Sequence, residues 1–354
     1  MQQTSPKKKR AKARRLLRNA LCDALITGLI LVVYALFQHV IPIYRARQEN
    51  ARLLAATPVT PAPLVAAEPT PSPTPEPDRR TEWQKRFAEH FTEDVVVTEN
   101  SYTSPNVSVT ITTHSEVVDH RQVRWYVADI YVASLDNIAT ALANDAYNYY
   151  AEQDILDMMA GKNAVVAMSG DSCLRQAHCF AVKNGVVCDD RPNAANICLL
   201  YADGTMEIVK KDDMDVEALL SQTGDKAVVQ SWHFGPTLLN PDGSARTEIR
   251  DALDQYVFMG TRQPRAGIGY YEPGHYCLIV AEGRIAESFG VTMVTFATLF
   301  EREGCALAYN LDGGRSAQLA FDGRKYSVQS NGNANPQNDI IYVVDVAPKG
   351  GAGQ

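Results

Sequence analysis

Along most of the chain, apolar and polar positions alternate in short runs rather than in long helical stripes. Val107, Val109 and Ile111 fall on one side of an extended segment, with Ser108, Thr110 and Thr112 on the other. That two-residue period predicts a half-buried strand. Further strands are predicted at 95–97, 123–135, 164–170, 227–234, 265–269, 306–309, 319–321 and 339–346. Hairpins are predicted around Asn184-Gly185, Asp203-Gly204 and Glu282-Gly283, where turn dipeptides separate apolar runs. Helical patterning is weaker. It predicts a short helix over 80–91 (Trp83, Phe87, Phe91), helical turns in 138–151 and 154–159, and a helix over 216–223. A last helix over 291–304 has Thr292 as its cap and Val294, Leu299 and Phe300 towards the core. Hairpin signals outnumber strand–helix–strand signals, so the expected class is α+β, a mixed, largely antiparallel sheet with packed helices.

Ahead of this domain the pattern changes twice. Residues 1–19 hold a basic run of Lys7, Lys8, Lys9, Arg10, Lys12, Arg14, Arg15 and Arg18. Residues 20–44 are predominantly apolar, and 24–37 carry no charge. About 20 apolar residues span a bilayer as a helix, so 20–44 is expected to be a transmembrane signal-anchor helix. Basic residues before it outnumber Arg45, Arg47 and Arg52 after it, placing the N-terminus in the cytoplasm and the main domain outside the cell. A cleaved signal peptide is the alternative, although Gln38-His39-Val40-Ile41-Pro42 offers no small-x-small site. Residues 45–79 form a juxtamembrane and Pro-rich linker, with eight of the chain's 18 prolines between Thr57 and Asp78. Such a stretch is an extended spacer. The domain then runs over 80–354.

Charge sharpens this division. The net charge of −7 combines +9 over residues 1–56 with −16 over the rest. So acidic a domain is a poor nucleic-acid binder, because phosphate contact needs basic surface.

Candidate chemistry gathers in AYNLDGGRSAQLAFDG, residues 308–323. Alternation puts Asn310 and Asp312 on one side of a strand end and Leu311 on the other. Gly313 and Gly314 let the backbone turn sharply and approach a ligand, and Ser316 offers a hydroxyl. By itself this is equally the signature of a plain Gly-Gly hairpin.

Several ordered blocks between Ala164 and Val344 resemble the phosphodiester glycosidase family. They are NLDGG-x-S; AVVAMSGD at 164–171; the Asn184-Gly185 hairpin; SWHFGPTLL at 231–239; QPRAGIG at 263–269; and DIIY at 339–342. The resemblance implies cleavage of a sugar-1-phosphodiester at its glycosidic C–O bond. It makes Asp312 the first candidate catalytic carboxylate, Asp171 the second, and Arg265 the phosphate clamp, since a guanidinium fork donates two parallel hydrogen bonds. Substrate-binding candidates are Asn310, Gly313, Gly314, Ser316, Ser169, Gly170, His233, Arg315 and Asp339, of which Asp339 has a structural role as its alternative. The sequence departs from the family pattern at Ser169 (an asparagine there), Ser172 and Cys173 (aromatics), Arg315 (a third glycine), Asn335 (an arginine) and Asn338 (a serine). The expected function is a membrane-anchored extracellular hydrolase, a glycosidase of cell-envelope or exopolysaccharide metabolism, without metal or cofactor. Its partners are a sugar-phosphate or cell-wall glycan substrate and the membrane, with no nucleic acid. The alternative is a catalytically degenerate relative that binds wall glycan or a partner. A serine hydrolase is disfavoured, because Ser316 and Ser169 lack a G-x-S-x-G elbow.

Seven cysteines are present. Cys22 lies at the membrane edge. Cys173, Cys179, Cys188, Cys198, Cys277 and Cys305 permit up to three disulfides; their spacing lacks the paired C-x2-C knuckles of structural zinc sites.

Overall fold

The computed structural model describes residues 78–348 apart from 177, 194, 250–259 and 329. These belong to one compact unit, Pro77–Gln354. The expected basic tail, membrane helix, Cys22 and nearly all of the linker lie outside the described residues. Among the described residues no helix is long and apolar enough to cross a membrane.

In chain order the strands are β1 (Val96–Val97), β2 (Ser101–Thr103), β3 (Val107–Val118), β4 (Arg121–Val132), β5 (Ile138–Leu142), β6 (Ala164–Ser169), β7 (Phe180–Lys183), β8 (Val186–Asp190), β9 (Ile197–Tyr201) and β10 (Met206–Val209). They continue with β11 (Val228–Trp232), β12 (Arg265–Glu272), β13 (His275–Ala281), β14 (Leu307–Leu311), β15 (Leu319–Phe321), β16 (Arg324–Lys325) and β17 (Asp339–Val344). The α-helices are α1 (Glu82–Arg86), α2 (Ile155–Lys162), α3 (Val216–Ser221) and α4 (Met293–Glu303).

Two sheets dominate. One has seven strands in the order β1-β2-β3-β4-β13-β12-β14, the other five in the order β16-β15-β6-β17-β5. A three-stranded sheet (β10-β9-β11) and the β7-β8 hairpin complete the set. Every pairing between named strands is antiparallel, so the sheets are not mixed as expected. The parallel element of that expectation has a simple reason for failing: no helix bridges two neighbouring strands of one sheet as a crossover would require.

The facing sides of the two large sheets and part of the small one share a core. It takes Val109, Ile111, Tyr126, Leu278, Ile268 and Leu311 from the first, Val166, Met168, Leu319, Phe321 and Ile341 from the second, and Leu200 and Trp232 from the third. Alternate residues of the same strands point the other way. Trp125, Val127, Ile279 and Ala308 meet Phe296, Leu299 and Phe300 of α4. Ala167, Ala320 and Ile340 meet Ile155, Met158 and Met159 of α2. The layers are thus helix, sheet, sheet, helix. Strands buried on both faces explain the near-continuous apolar runs of β6 and β13.

The helical turn expected within 138–151 is the 3-10 turn Ala143–Asp145; Ile138–Leu142 ahead of it is a strand that pairs with β17, because its apolar residues cover a sheet edge. Two expectations need correction. The Glu282-Gly283 turn does not close a hairpin: β13 lies between β4 and β12, leaving residues after 281 no strand to join. In α4, Thr292 caps through Thr295 N and Gly304 ends the helix in the left-handed region, as expected. Leu299 and Phe300 are core residues, but Val294 is only partly buried, since the helical period aligns Met293, Phe296, Ala297 and Phe300 inward. The segment before residue 160 is no separate subdomain, because β3 and β4 continue the sheet through β13.

Candidate active site

The site lies where the two large sheets meet at their strand ends. Register creates it. Ala266 pairs with Leu311, so Arg265 at the start of β12 comes beside Asp312 just after β14. Asp312 N then donates to Gly170 O at 3.1 Å, tying the end of the seven-stranded sheet to the turn that follows β6. Gly314 N donates to Pro264 O at 2.8 Å, and a Cβ on Gly313 would lie 2.9 Å from Pro264 O. The glycines therefore let two backbones touch beside the site.

A cavity of about 310 Å³ opens here. Its walls bring together six of the sequence-predicted residues: Arg265, Asn310, Asp312, Gly313, Gly314 and Arg315. The other six are not lining residues. Ser169, Gly170 and Ser316 stand directly behind Asp312. Ser169 Oγ donates to Asp312 O at 3.5 Å, and Ser316 bears on the Asp312 carboxylate. Asp171 and Asp339 are buried one layer deeper. His233 is completely buried. Its Nδ1 accepts from Phe180 N (2.9 Å) and its Nε2 meets Ala195 O (3.1 Å), so the neutral Nε2–H tautomer satisfies both contacts. Burial pushes its pKa down to about 4.

Asp312 is held by Ser172, whose Oγ donates to Oδ2 at 2.6 Å. Burial of its carboxylate raises its pKa; the hydroxyls of Ser172 and Ser316 oppose that rise without cancelling it. Behind it lies a charged triad. Lys183 Nζ donates to Asp171 Oδ2 at 3.0 Å and to Ser231 O at 2.8 Å, and stands 3.8 Å from Asp339 Oδ2. Asp171 also accepts from His233 N (2.9 Å) and Cys173 N (3.1 Å). Its burial would raise its pKa, but the Lys183 charge and these donors outweigh it and hold the carboxyl below its ordinary value. Asp339 moves the other way. Burial first, then the Asp171 charge, push it up to about 7. Asp339 also builds the turn: its Oδ2 accepts from Asp171 N (3.1 Å) and its Oδ1 from Ser172 N (2.9 Å). Gly170 packs so tightly on it that a Cβ would sit 2.0 Å from Asp339 Oδ2.

Arg265 is buried at the cavity floor. Its Nε donates to Val291 O (3.1 Å) and its Nη2 to Thr261 O (3.2 Å). Burial, with the Arg284 charge nearby, lowers its pKa to about 10, which leaves it cationic at neutral pH. Asn310 Nδ2 donates to Gly235 O at 2.7 Å, while its buried Oδ1 has no hydrogen-bond partner. Asn335, where the family pattern has arginine, also lines the cavity and donates from Nδ2 to Ser316 Oγ at 3.3 Å.

Sequence reasoning missed Ser172 as the partner of Asp312, Lys183 as the counter-ion of Asp171, and Arg284 as a lining residue. The one visible signal was Lys183, a charge closing the otherwise apolar run Phe180-Ala181-Val182. Of the cysteines, Cys173 and Cys179 are joined, with Cα atoms 5.8 Å apart. Cys188, Cys198, Cys277 and Cys305 are free thiols, so one of the three permitted disulfides is present among the described residues. Asp171, Cys173 and Cys179 cluster closely enough to suggest a metal site. The disulfide removes the thiolates a metal would need, and the Lys183 ammonium occupies the Asp171 carboxylate.

Comparison with known proteins places this geometry. The SPbeta prophage-derived uncharacterized protein YomE of Bacillus subtilis (strain 168) is 30% identical over 197 residues, which is 54% of this chain and 29% of that protein. The chain thus spans less than a third of that relative's length. The catalytic domain of zebrafish N-acetylglucosamine-1-phosphodiester alpha-N-acetylglucosaminidase, auto-inhibited by its pro-peptide, superposes with a TM-score of 0.56. That match covers 72% of this chain and 88% of the other at 15% identity, a likeness of fold. The family model for phosphodiester glycosidases matches residues 160–344, which contain every residue of the site described above. With just over half of its length matched, the chain belongs to the phosphodiester glycosidase family.

Proposed function

We propose that the chain hydrolyses a sugar-1-phosphodiester in the cavity beside Asp312. The observation that carries this reading is one cavity wall holding a carboxylate of raised pKa, a buried guanidinium and an unsatisfied buried acceptor. Arg265 faces the phosphate and stabilises the charge that develops on it. Asn310 Oδ1 takes a hydroxyl of the sugar, since a buried acceptor without a partner is costly until a ligand fills it. Asp312 accepts the proton of the attacking water. The water oxygen bonds to C1, the C1–O bond breaks with its electron pair going to the phosphate oxygen, and the proton passes from Asp312 to solvent. Phosphate is a good leaving group, so less is asked of a general acid than in ordinary glycoside hydrolysis.

The finer setting is part of the same proposal. The basic run and apolar stretch at 1–44 support a single-pass anchor with the domain outside the cell, and a cell-envelope or exopolysaccharide phosphodiester as substrate. A catalytically silent glycan-binding module is the rival, favoured by Asn335 standing at the cavity wall.

The test is sugar release by the full chain from a panel of sugar-1-phosphodiesters, with Asp312→Asn as comparison. Turnover abolished in the variant supports the assignment. Equal turnover in both removes Asp312 from the chemistry. Absent turnover, with the glycan still bound by a folded protein, turns the reading into the binding module.

A further inference from the structure

Three arginines, Arg265, Arg284 and Arg315, and one carboxylate, Asp312, line this cavity. A single phosphodiester brings one negative charge, which leaves the site over-positive. Arg265 is buried at the floor, whereas Arg284 and Arg315 are exposed at the opening. Neither of these two is paired with a carboxylate among the described residues.

The placement of Arg284 is built rather than incidental. Arg284 has φ +61°, a conformation rarely taken by a residue with a side chain. Its loop is pinned at the base: Glu282 N donates to Arg124 O, Ser288 Oγ donates to Glu282 O at 2.8 Å, and the Glu282 carboxylate accepts from Tyr126 OH at 2.8 Å. Arg284 Nη2 donates to Gln263 Oε1 across the loop, and its guanidinium lies 3.7 Å from where a Gly314 Cβ would stand. It is close enough to Arg265 to depress that residue's pKa. Like charges held together cost free energy until an anion sits between them.

We propose that Arg284 and Arg315 form a second phosphate subsite on the leaving-group side, and that the substrate is a sugar joined through a diphosphate rather than through a single phosphate. This rests on the glycosidase reading of the same cavity. The phosphate bonded to C1 meets Arg265, and the next phosphate meets Arg284 and Arg315. Water adds to C1, the C1–O bond breaks, and the whole diphosphate leaves with the electron pair while the water proton goes to Asp312. Nucleoside diphosphate sugars and polyprenyl diphosphate sugars share this chemistry.

The test starts from binding, which needs no turnover. Inorganic phosphate and inorganic pyrophosphate are titrated calorimetrically into the full chain, wild type, Arg284→Ala, Arg315→Gly and Arg315→Lys. The expected result is pyrophosphate bound at least tenfold tighter than phosphate. That preference shrinks to under threefold in Arg284→Ala and Arg315→Gly, phosphate affinity changes less than twofold, and the lysine variant recovers part of the preference. A preference unchanged in both neutral variants, or phosphate and pyrophosphate bound alike by the wild type, overturns the subsite, whatever the enzyme hydrolyses. Sugar release is then compared for a nucleoside diphosphate sugar, a short-chain polyprenyl diphosphate sugar and a methyl phosphodiester of the same sugar. A higher kcat/KM for either diphosphate, lost in Arg315→Gly, supports the proposal and names the source. A higher value for the methyl phosphodiester overturns it while leaving the glycosidase reading intact.

Discussion

Ser172 Oγ lies 2.6 Å from Asp312 Oδ2, joining the turn after one sheet to the strand end of the other. Ser172 reaches it because its backbone sits at φ +54°, held by the Asp339 carboxylate on its N–H. A hydrogen bond to a charged group is worth about 1.5–3 kcal/mol. Replacing Ser172 by Ala is therefore expected to lower kcat roughly 10- to 100-fold with little change in KM. It also removes a donor that favours the ionised carboxylate, so the Asp312 limb of the pH–rate profile moves to higher pH. A limb that stays in place would show that the contact does not govern Asp312.

Lys183 and Asp171 form a buried ion pair. Breaking such a pair by removing one partner costs about 3–5 kcal/mol. Lys183→Met is expected to lose that much stability in urea unfolding at pH 7. In the wild type, the lowered pKa of Asp171 gives stability that is present above its unfolded value and lost as pH falls through the folded one. In the variant, a buried carboxylate without its cation gains by taking a proton. The gap between the two proteins should therefore narrow on acidification; a gap that widens would contradict the role assigned to Lys183.

Asp339 and His233 give opposite pH signatures. Asp339, raised to about 7, contributes stability present at low pH and lost as pH rises through the folded value. His233, lowered to about 4, is neutral in the fold, so its stability is lost on acidification below its unfolded pKa of about 6.5. The two oppose one another from roughly pH 4 to 6.5. Above that, of these two only Asp339 still titrates. The melting midpoint should thus be nearly flat through mild acid and fall between about pH 6.5 and 8. A midpoint that climbs over that last interval would refute the Asp339 assignment.

Gly170 has no space for a side chain, since its Cβ would meet Asp339 Oδ2 at 2.0 Å. Gly170→Ala must displace a carboxylate that holds two backbone amides, at a cost of about 3 kcal/mol. Loss of activity should accompany it, because the same amides orient Ser172. Wild-type stability by chemical unfolding would rule this out.

Much of the fold was legible before the structure. The alternation of Val107 to Thr112, the Asp203-Gly204 turn, and the Thr292 and Gly304 caps are local signals, and each element stands where its own residues require. The candidate pair Asp312 and Arg265 was equally legible through motif blocks. The strand Ile138–Leu142 was not legible, because its strand character comes from β17, which lies far along the chain.

Local patterning, then, settled the strands, turns and caps, because those depend on neighbours a few residues apart. Register settled the site. Whether Arg265 stands beside Asp312, whether Lys183 neutralises Asp171, whether Ser172 reaches the Asp312 carboxylate, and whether Arg284 and Arg315 line the same cavity depend on the pairing of β12 with β14 and on two sheet ends meeting. Desolvation belongs to that level as well. Asp171 and Asp339 are the same residue type, yet one is driven down and the other up, because packing gave the buried Lys183 to Asp171 at 3.0 Å and left Asp339 at 3.8 Å.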